Sequence, residues 1–373
     1  MSETPEPHQW IDVGAAAELA ATPVQPITVA NRRLALSFRD GVFGAVDGVC
    51  NHAGGPLGEG ALIEDFISCP WHHWKFHRLD GRGEPGYEQD RVPSHAVKVE
   101  AGRVLVSAKA VTKRDRLPHP PHPLARQVRR APGPPRIVGI STTVMDIRFP
   151  RYSTSEALLE AALAHARQSG HEVQEIKLRE LNFRACEGYY SKSAHACTWP
   201  CSITQIHKND QLDQVYEALV HWGDVFLIAT PIRWGGASSL YYKMIERMNC
   251  IQNQITLAGK VLLANKVVGA VITGGQDNVQ AVAGQILGFF AELGCHFPPF
   301  PYIAHTRGWD AEDMERNVQI VQHSDSLRLA AAELVERSID LAQRLLDTTP
   351  QAVEKAGRKG QKLGSGKAVA PES

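Results

Sequence analysis

The spacing of apolar residues changes part-way along the chain. In the first part, short apolar runs alternate with Gly, Asp and Asn, as in Pro26–Ala30 (PITVA), Leu34–Phe38 (LALSF), Val42–Val46 (VFGAV), His95–Val99 (HAVKV) and Arg103–Ser107 (RVLVS). Short strands bounded by turn residues produce this rhythm. We therefore expect an all-β unit at the start of the chain.

The second part alternates long amphipathic segments with runs that are apolar throughout. The predicted strands are Arg136–Thr142, Glu172–Leu178, Asp224–Thr230 and Val267–Thr273. The predicted helices are Ser153–Gly170, Asp210–His221, one starting at Ser238, one starting at Asn278, and Ala311–Leu346. Strands without polar positions belong in a parallel sheet buried on both faces. The order predicts an α/β domain with a doubly wound parallel sheet.

Two segments lack the residues to build a core. Residues 109–135 are rich in Pro and basic side chains, which favours an extended, semi-rigid linker. Residues 348–373 have the composition of a disordered tail. We predict a multidomain chain with an all-β domain at 7–108, the linker at 109–135, an α/β domain at 136–347 and the tail at 348–373.

Composition and charge narrow the class of protein. Basic and acidic residues both number 40 in 373 residues, so the zero net charge disfavours nucleic-acid binding through bulk charge. The polar start MSETPEPHQW has no secretory signal, and no apolar stretch reaches membrane-spanning length. We expect a cytoplasmic protein that does not span a membrane, whose seven cysteines act as ligands, buried thiols or redox groups.

Four side chains in the first part form a metal-ligand pattern. Cys50 and His52 make a C-x-H pair, and Cys69 and His72 make a C-x-x-H pair after sixteen intervening residues. Thiolates suit iron, and imidazoles leave a site less electron-rich. Two of each on a two-iron cluster would give one Cys-ligated iron and one His-ligated iron that is easier to reduce. Zinc is the alternative, although zinc fingers usually space their cysteines as C-x₂₋₄-C.

This pattern resembles the Rieske [2Fe–2S] family over Gln9–Ser107, including the aromatic residues Trp71 and Trp74. The resemblance implies that the cluster ligands are Cys50, His52, Cys69 and His72, and that His73 is only a loop neighbour. Respiratory Rieske proteins carry an extra cysteine on each loop and a serine that hydrogen-bonds a cluster sulfur. The loops CNHAGG and CPWHHW lack those cysteines, and Trp74 stands near the serine's place. Fewer hydrogen bonds to sulfur lower the potential, which implies the ferredoxin and ring-hydroxylating type. A terminal oxygenase is disfavoured, because the second part shows no two-His, one-carboxylate iron site.

Three loops in the α/β part follow strand ends, where open sheets bind ligands. The first, residues 141–155, carries hydroxyls and two arginines and ends in an S-x-x-E capping box at Ser153 and Glu156. A helix start of this kind favours a phosphate. The other two loops, 230–238 and 273–276, contain Gly that allows close approach to a planar ring, and Trp234 offers an aromatic face.

Together these loops resemble the NADPH-dependent FMN reductase branch of flavodoxin-like proteins over Arg136–Leu346. The resemblance implies that the FMN phosphate contacts Ser141, Arg148, Ser153 and Ser155. It implies that the flavin ring contacts Pro231, Ile232, Arg233, Trp234, Gly235, Thr273, Gly274 and Gly275. It also implies NAD(P)H as electron donor and a homo-oligomer, and it assigns no catalytic acid or base.

The insertion after the second α/β strand contains Cys186, Cys197 and Cys201. Related iron–sulfur flavoproteins carry a compact four-cysteine motif there for a [4Fe–4S] cluster. With His195 as a fourth ligand a second cluster stays open, while a dimer-contact or flavin-covering insertion is the other interpretation. Cys250 and Cys295 stand in apolar contexts and are interpreted as core residues.

The combination predicts a redox enzyme. FMN exchanges electrons in pairs or singly and a [2Fe–2S] cluster singly, so the chain would move electrons between NAD(P)H and a one-electron acceptor such as an oxygenase. The partner would be a redox protein or a small acceptor. The alternatives are reverse flow, in which the cluster feeds a flavin-dependent reductase of a small organic substrate, and a redox sensor without turnover.

Overall fold

The computed structural model describes residues 9–117, 121–275, 278–308 and 311–347. Over these residues the chain folds into two compact units. The first unit holds the residues up to Pro121 together with a short segment, Tyr189–Ala196. The second holds His122–Gly188 and the chain from Cys197 onward. The predicted disordered tail lies outside the described residues.

The first unit is built from antiparallel strands. Its strands are β1 (Trp10–Ala15), β2 (Val24–Val29), β3 (Arg32–Arg39), β4 (Val42–Asp47), β5 (Ala61–Ile63), β6 (Phe66–Ser68), β7 (Lys75–His77), β8 (Ser94–Glu100) and β9 (Arg103–Ala110). Six form a sheet in the order β1-β9-β8-β4-β3-β2, and β5-β6-β7 form a second, three-stranded sheet. A four-residue helix, α1 (Ala16–Leu19), and a 3₁₀ turn at Leu57–Glu59 complete this region.

Alternation along β3 and β4 divides the apolar side chains of the first unit between two cores. Leu34 and Leu36 pack into one core, whereas Ala35, between them, packs into the other, as expected for side chains on opposite faces of a strand. The Ala35 core also contains Cys50 and Cys69. The sheet therefore supports the segments that carry the predicted metal ligands.

The second unit contains a parallel sheet. Its strands are β10 (Ile137–Ser141), β11 (Val173–Lys177), β12 (Val225–Pro231), β13 (Val267–Gly274) and β14 (Tyr302–Thr306). They lie in the order β11-β10-β12-β13-β14, with every neighbouring pair parallel. This is the flavodoxin-like order, with its topological switch next to β10. The predicted multidomain fold, all-β followed by a flavodoxin-like parallel sheet, is confirmed.

Helices connect the strands of the second unit. They are α2 (Thr154–Gln168), α4 (Ser202–Ile206), α5 (Asp213–Tyr216), α6 (Ser239–Arg247), α7 (Asn249–Ala258), α8 (Val279–Glu292), α9 (Ala311–His323) and α10 (Asp325–Asp347); α3 (Tyr189–Lys192) belongs to the first unit. Leu159 and Leu163 of α2 and Leu334 of α10 pack against Val225 and Leu227 of β12. Burial of this apolar face fixes the helices on the sheet.

Three features of the second unit differ from the sequence prediction. β14 was not predicted, the expected helix Ala311–Leu346 is divided at Ser324, and Glu217–Trp222 continues α5 as a π-helix. Ser324 ends the run because its hydroxyl accepts the Leu327 amide, 3.2 Å away, and so caps α10.

The predicted linker makes specific contacts with each unit. Arg114 pairs with Asp47 at 3.0 Å within the first unit. In the second unit Leu124 is buried, and Arg130 pairs with Asp224 at 2.9 Å. The Pro-rich segment is therefore held in place by ion pairs and by one buried leucine. No helix in the described part of the chain is both long and apolar enough to cross a membrane.

Candidate functional site

Two tight loops of the first unit carry the predicted metal ligands. In the loop after β4, the Cys50 amide donates to the Gly55 carbonyl at 2.9 Å. In the loop between β6 and β7, the Cys69 amide donates to the Trp74 carbonyl at 2.8 Å, and the His73 amide donates to the Cys69 carbonyl at 3.0 Å. Each loop is therefore closed by its own backbone, which holds its Cys and His in a defined relation.

The loops bring like donors together. The Cys50 and Cys69 thiols hydrogen-bond to each other, and the His52 and His72 rings meet edge to face with centroids 4.3 Å apart. A two-iron cluster needs this sorting, because two sulfurs bind one iron and two imidazoles bind the other. Across the described residues no three such side chains surround a single metal ion.

The pKa shifts of Cys69 and His72 suit metal binding, whereas Cys50 has to lose its proton to become a ligand. The hydrogen bond from Cys50 lowers the pKa of Cys69 to about 7, against the effect of burial. The same bond, aided by burial, raises the pKa of Cys50. Burial lowers the pKa of His72 to about 3, so its ring is neutral at physiological pH. Thiolate and neutral imidazole are the forms that bind metal.

A glycine and a flat aromatic ring lie beside the ligand side chains. A Cβ added at Gly55 would lie 2.6 Å from Cys69 Sγ, so only Gly fits beside this sulfur. Trp74 stacks on the His52 ring at 4.5 Å between centroids. The four side chains fit a [2Fe–2S] cluster in donor type and pairing.

The segment Tyr189–Ala196 packs on the second ligand loop. Lys192 Nζ lies 3.5 Å from the Pro70 carbonyl oxygen and 4.8 Å from the centre of the Tyr189 ring. The backbone of Ala196 hydrogen-bonds to His72. The charge of Lys192 is among the influences that lower the pKa of Cys69, after the Cys50 hydrogen bond and backbone donors. No motif in the sequence predicts that residues so far along the chain contact this loop.

A second candidate site lies at the carboxyl ends of β10, β12 and β13. A cavity of about 520 Å³ opens there, in the second unit. Its lining residues are Thr143, Val144, Met145, Arg151, Tyr152, Ser153, Thr154, Ser155, Pro231, Arg233, Thr273, Gly274, Glu315, Asn317 and Val318. Ligands of open α/β sheets bind at this edge beside the topological switch.

Hydroxyl groups cluster in this cavity at the start of α2. Thr143 Oγ1 lies 2.9 Å from Ser153 Oγ and 3.1 Å from Ser155 Oγ. Ser153 caps α2, because its hydroxyl accepts the Glu156 amide at 3.3 Å. The Glu156 carboxylate does not return to the cap as a capping box predicts; it accepts from Ser141 and Arg179 instead. Hydroxyls and a helix N-terminus together suit a phosphate.

Six of the residues predicted to hold FMN line the cavity: Ser153, Ser155, Pro231, Arg233, Thr273 and Gly274. The others are placed elsewhere. Ser141 is buried and donates to Glu156, and Arg148 is largely exposed and paired with Asp146 at 2.9 Å. Ile232, Gly235 and Gly275 are not part of the lining. Arg151 of the same loop lines the cavity.

Trp234 is held outward by a tight turn. The Arg233 amide donates to the Gly236 carbonyl at 2.8 Å, and the Gly236 amide donates back to Arg233 at 2.9 Å. Trp234 and Gly235 have φ of 50° and 72°, and the indole is 98% exposed. An indole fixed in this way presents its whole surface for a ligand or a second polypeptide.

Comparison with known proteins assigns the first unit. Residues 9–96 match the Rieske [2Fe-2S] domain family. The ferredoxin component of a naphthalene 1,2-dioxygenase system from Pseudomonas aeruginosa is 31% identical over 98 residues, covering 26% of this chain and 94% of that protein. The ferredoxin component of an alkene monooxygenase system from Xanthobacter autotrophicus is 33% identical, covering 28% of this chain and 86% of that protein.

The chain belongs to the Rieske [2Fe–2S] family.

Behind the Rieske domain, residues 136–310 match the NADPH-dependent FMN reductase family. A solved structure of RosB with a bound riboflavin-5′-phosphate derivative aligns with TM-score 0.50 and 18% identity, covering 64% of this chain and 90% of that one. At this identity the likeness shows the fold alone. The chain is therefore an oxidoreductase in which a Rieske domain, implying a [2Fe–2S] cluster, is fused to a reductase domain, implying FMN and NAD(P)H.

The insertion is divided between the two compact units. His195 belongs to the first unit with Tyr189–Ala196, whereas Cys186, Cys197 and Cys201 belong to the second. Cys186 is exposed, and Cys197 and Cys201 are buried. The partner of Cys201 in the second unit is Cys250, which sequence reasoning interpreted as a core residue.

Proposed function

We propose that this protein transfers electrons from NAD(P)H through FMN to its Rieske cluster and on to a one-electron acceptor such as an oxygenase. The proposal rests on two features of one chain. In the Rieske domain the two Cys pair with each other and the two His pair with each other, and in the second unit a cavity lined by hydroxyls lies at the topological switch of the parallel sheet. FMN accepts a hydride and releases electrons singly, and the cluster carries them singly. The chain's own residues bind and orient these groups.

In the Rieske domain, Cys50, His52, Cys69 and His72 would hold the cluster. The backbone hydrogen bonds that close the two loops would hold the Cys and His of each loop in place. Burial of His72 keeps its ring neutral, and its hydrogen bond to the Ala196 backbone fixes the ring's orientation. An outer hydrogen bond of this kind raises the basicity of a metal-bound imidazole.

In the reductase domain, Thr143, Ser153 and Ser155 would donate to the FMN phosphate, and Arg151 would balance its charge. Pro231, Arg233, Thr273 and Gly274 would border the flavin ring. The Gly274 position allows close approach, because a Cβ there would lie 2.9 Å from Ile232 Cβ. The hydroxyl cluster is held by its own hydrogen bonds and so is ordered before the phosphate arrives.

The ferredoxin relatives support the choice of acceptor. Both belong by name to dioxygenase or monooxygenase systems. A Rieske domain of that type, without the extra loop cysteines, suits delivery of electrons to an oxygenase component. A cytoplasmic protein acting as a homo-oligomer is part of the proposal.

The test compares flavin reduction with electron delivery. The loaded protein is mixed with NADPH and cytochrome c, beside a His72→Ser variant and a His73→Asn control, since Asn tolerates the positive φ of 59° at this position. We expect His72→Ser to keep flavin reduction by NADPH but to lose at least about tenfold in cytochrome c reduction, roughly the effect of metal-site mutations. Equal cytochrome c rates in all three proteins would show that the cluster is not on the route. No NADPH oxidation by the loaded protein would favour the sensor.

A further inference from the structure

A buried arginine organises a pair of cysteines in the second unit. Arg247, at the end of α6, forms a bidentate ion pair with Asp210, with both N–O distances 2.9 Å, and both side chains are fully buried. Two further N–H groups donate to Thr204 Oγ1 at 2.8 Å and to the Arg184 carbonyl at 2.7 Å. The fifth donor, Nε–H, points at Cys201 Sγ, 3.1 Å away.

Every donor of the guanidinium is therefore used, and one is used on sulfur. An arginine has five N–H groups and no acceptor, so its Nε–H identifies the Cys201 sulfur as an acceptor. Cys201 also accepts from the backbone of Ile203 at the start of α4 and from the Cys250 thiol. Three donors around one sulfur stabilise a thiolate.

The second cysteine is held beside the first. Cys250 lies in the first turn of α7, fully buried, and its Sγ is 3.4 Å from the Arg247 carbonyl oxygen. The single S–H of Cys250 has two acceptors within reach, Arg247 O and Cys201 Sγ, while Arg247 Nε–H donates to Cys201 Sγ. A single residue positions both members of the pair.

The protonation states agree with this geometry. The hydrogen bond from Cys250 and the charge of Arg247 lower the pKa of Cys201 to about 5, against burial. Burial raises the pKa of Cys250. The other charged or titratable groups facing the pair are Asp210, Cys197 and Tyr216, and burial raises the pKa of Cys197 to about 11. At neutral pH the pair is one thiolate and one thiol.

We propose that Cys201 and Cys250 form a redox-active dithiol, a site of reversible oxidation by small hydroperoxides, with Cys201 as nucleophile and Cys250 as resolving thiol. The Cys201 thiolate attacks the hydroperoxide, the O–O bond breaks, and the leaving alkoxide takes a proton from solvent to become the alcohol. The Cys250 thiol then attacks the sulfenic sulfur, its proton leaves with the hydroxyl as water, and an S–S bond forms. Two electrons pass from the thiols to the peroxide.

The site is distinct from the cluster ligands and from the flavin cavity, and it does not depend on the proposed direction of electron flow. Its two thiols are buried, so the oxidant is limited to small molecules. Cys186, which is exposed, and Cys295, which is buried and whose pKa burial raises to about 12, provide internal comparisons within the same protein.

The experiment treats the cofactor-loaded full chain with stoichiometric hydrogen peroxide and maps its disulfides. Free thiols are blocked with N-ethylmaleimide in denaturant, and tryptic peptides are analysed without reduction. We expect a dithiothreitol-sensitive link between Ser193–Lys208 and Met248–Lys260, with Cys295 alkylated. The peptide Ser193–Lys208 contains both Cys197 and Cys201. The link should survive in Cys197→Ser, which would show that Cys201 forms it. Cys250→Ser should instead accumulate a sulfenic acid at Cys201 that dimedone traps.

Three results would overturn the proposal. One is that the two peptides stay unlinked and alkylated in the wild-type chain after peroxide treatment. The second is a link lost in Cys197→Ser, which would make Cys197 the reacting residue. The third is iron beyond two atoms per chain that is absent from both Cys201→Ser and Cys250→Ser, because the thiols would then be ligands of a second cluster.

Discussion

Lys192 is the charged side chain that the segment Tyr189–Ala196 places beside the cysteine-bearing loop. Its ammonium lies 3.5 Å from the Pro70 carbonyl oxygen, one residue from Cys69. A fixed positive charge near a cluster ligand stabilises the form that has gained an electron. This residue should therefore influence the reduction potential without being a ligand.

We predict that Lys192→Met lowers the reduction potential of the Rieske cluster, measured by redox titration with EPR detection. Lys113→Met, which removes the same charge from an exposed position of the first unit, serves as the control and should leave the potential nearly unchanged. An unchanged potential in Lys192→Met, with the cluster fully loaded, would contradict this assignment.

The two arginines of the first α/β loop differ in their surroundings. Arg151 lines the cavity, whereas Arg148 is exposed and paired with Asp146. A charge-assisted hydrogen bond contributes about 1.5–3 kcal/mol, roughly a ten- to hundredfold change in affinity. Arg151→Gln should weaken FMN binding by about that factor in a flavin fluorescence titration, and Arg148→Gln should not. A larger loss in Arg148→Gln would restore the sequence-based assignment of the phosphate contact.

At the scale of elements, the end of β13 approaches the end of β12 closely. A methyl group at Gly274 would meet Ile232 Cβ at 2.9 Å, so the two loops that border the flavin cavity would have to separate. The spacing of these loops is therefore set by a glycine and not by a side-chain contact.

Gly274→Ala should lower the thermal stability of the reductase domain and weaken FMN binding. Gly284→Ala is the matched control, since a Cβ there on α8 meets nothing within 4 Å and Ala is favoured over Gly in a helix by about 1 kcal/mol. Differential scanning calorimetry with and without FMN measures both the thermal stability and the effect of FMN binding on it. Equal melting temperatures for the two variants would show that the loops tolerate the added methyl group.

The elements with strong apolar periodicity were predictable, and those defined by partial burial were not. β10, β12 and β13 are buried throughout and were found within a residue or two of their ends. β14 was missed because Tyr302–Thr306 is only half-buried along its length. The Cys/His loops were recognisable because their ligand spacing is local, whereas the contribution of Arg151 and Asn317 to the cavity depends on tertiary folding.

The pairing of Cys201 with Cys250 also could not be predicted from the local sequence. Cys201 and Cys250 are separated by 48 intervening residues, and Cys250 stands in an apolar context. Nothing local distinguishes it from a core thiol. Arg247 and Cys250 are neighbours in the sequence, but only the fold brings Cys201 and Asp210 to them.

At the scale of the whole molecule, the chain combines a domain for one-electron transfer with a domain for hydride-dependent flavin chemistry. The zero net charge offers no long-range field to a highly charged partner, so recognition of the acceptor should depend on local surfaces. The domain limits of 7–108 and 136–347 and the linker between them remain predictions, which limited proteolysis can test.

The most direct test of the proposed electron route is an anaerobic titration of the cofactor-loaded protein with NADPH, followed by absorbance and low-temperature EPR. We predict that flavin bleaching is accompanied by the appearance of a reduced Rieske signal. Flavin bleaching with the cluster left oxidised would contradict the proposed route, and it would favour an external electron donor for the Rieske domain.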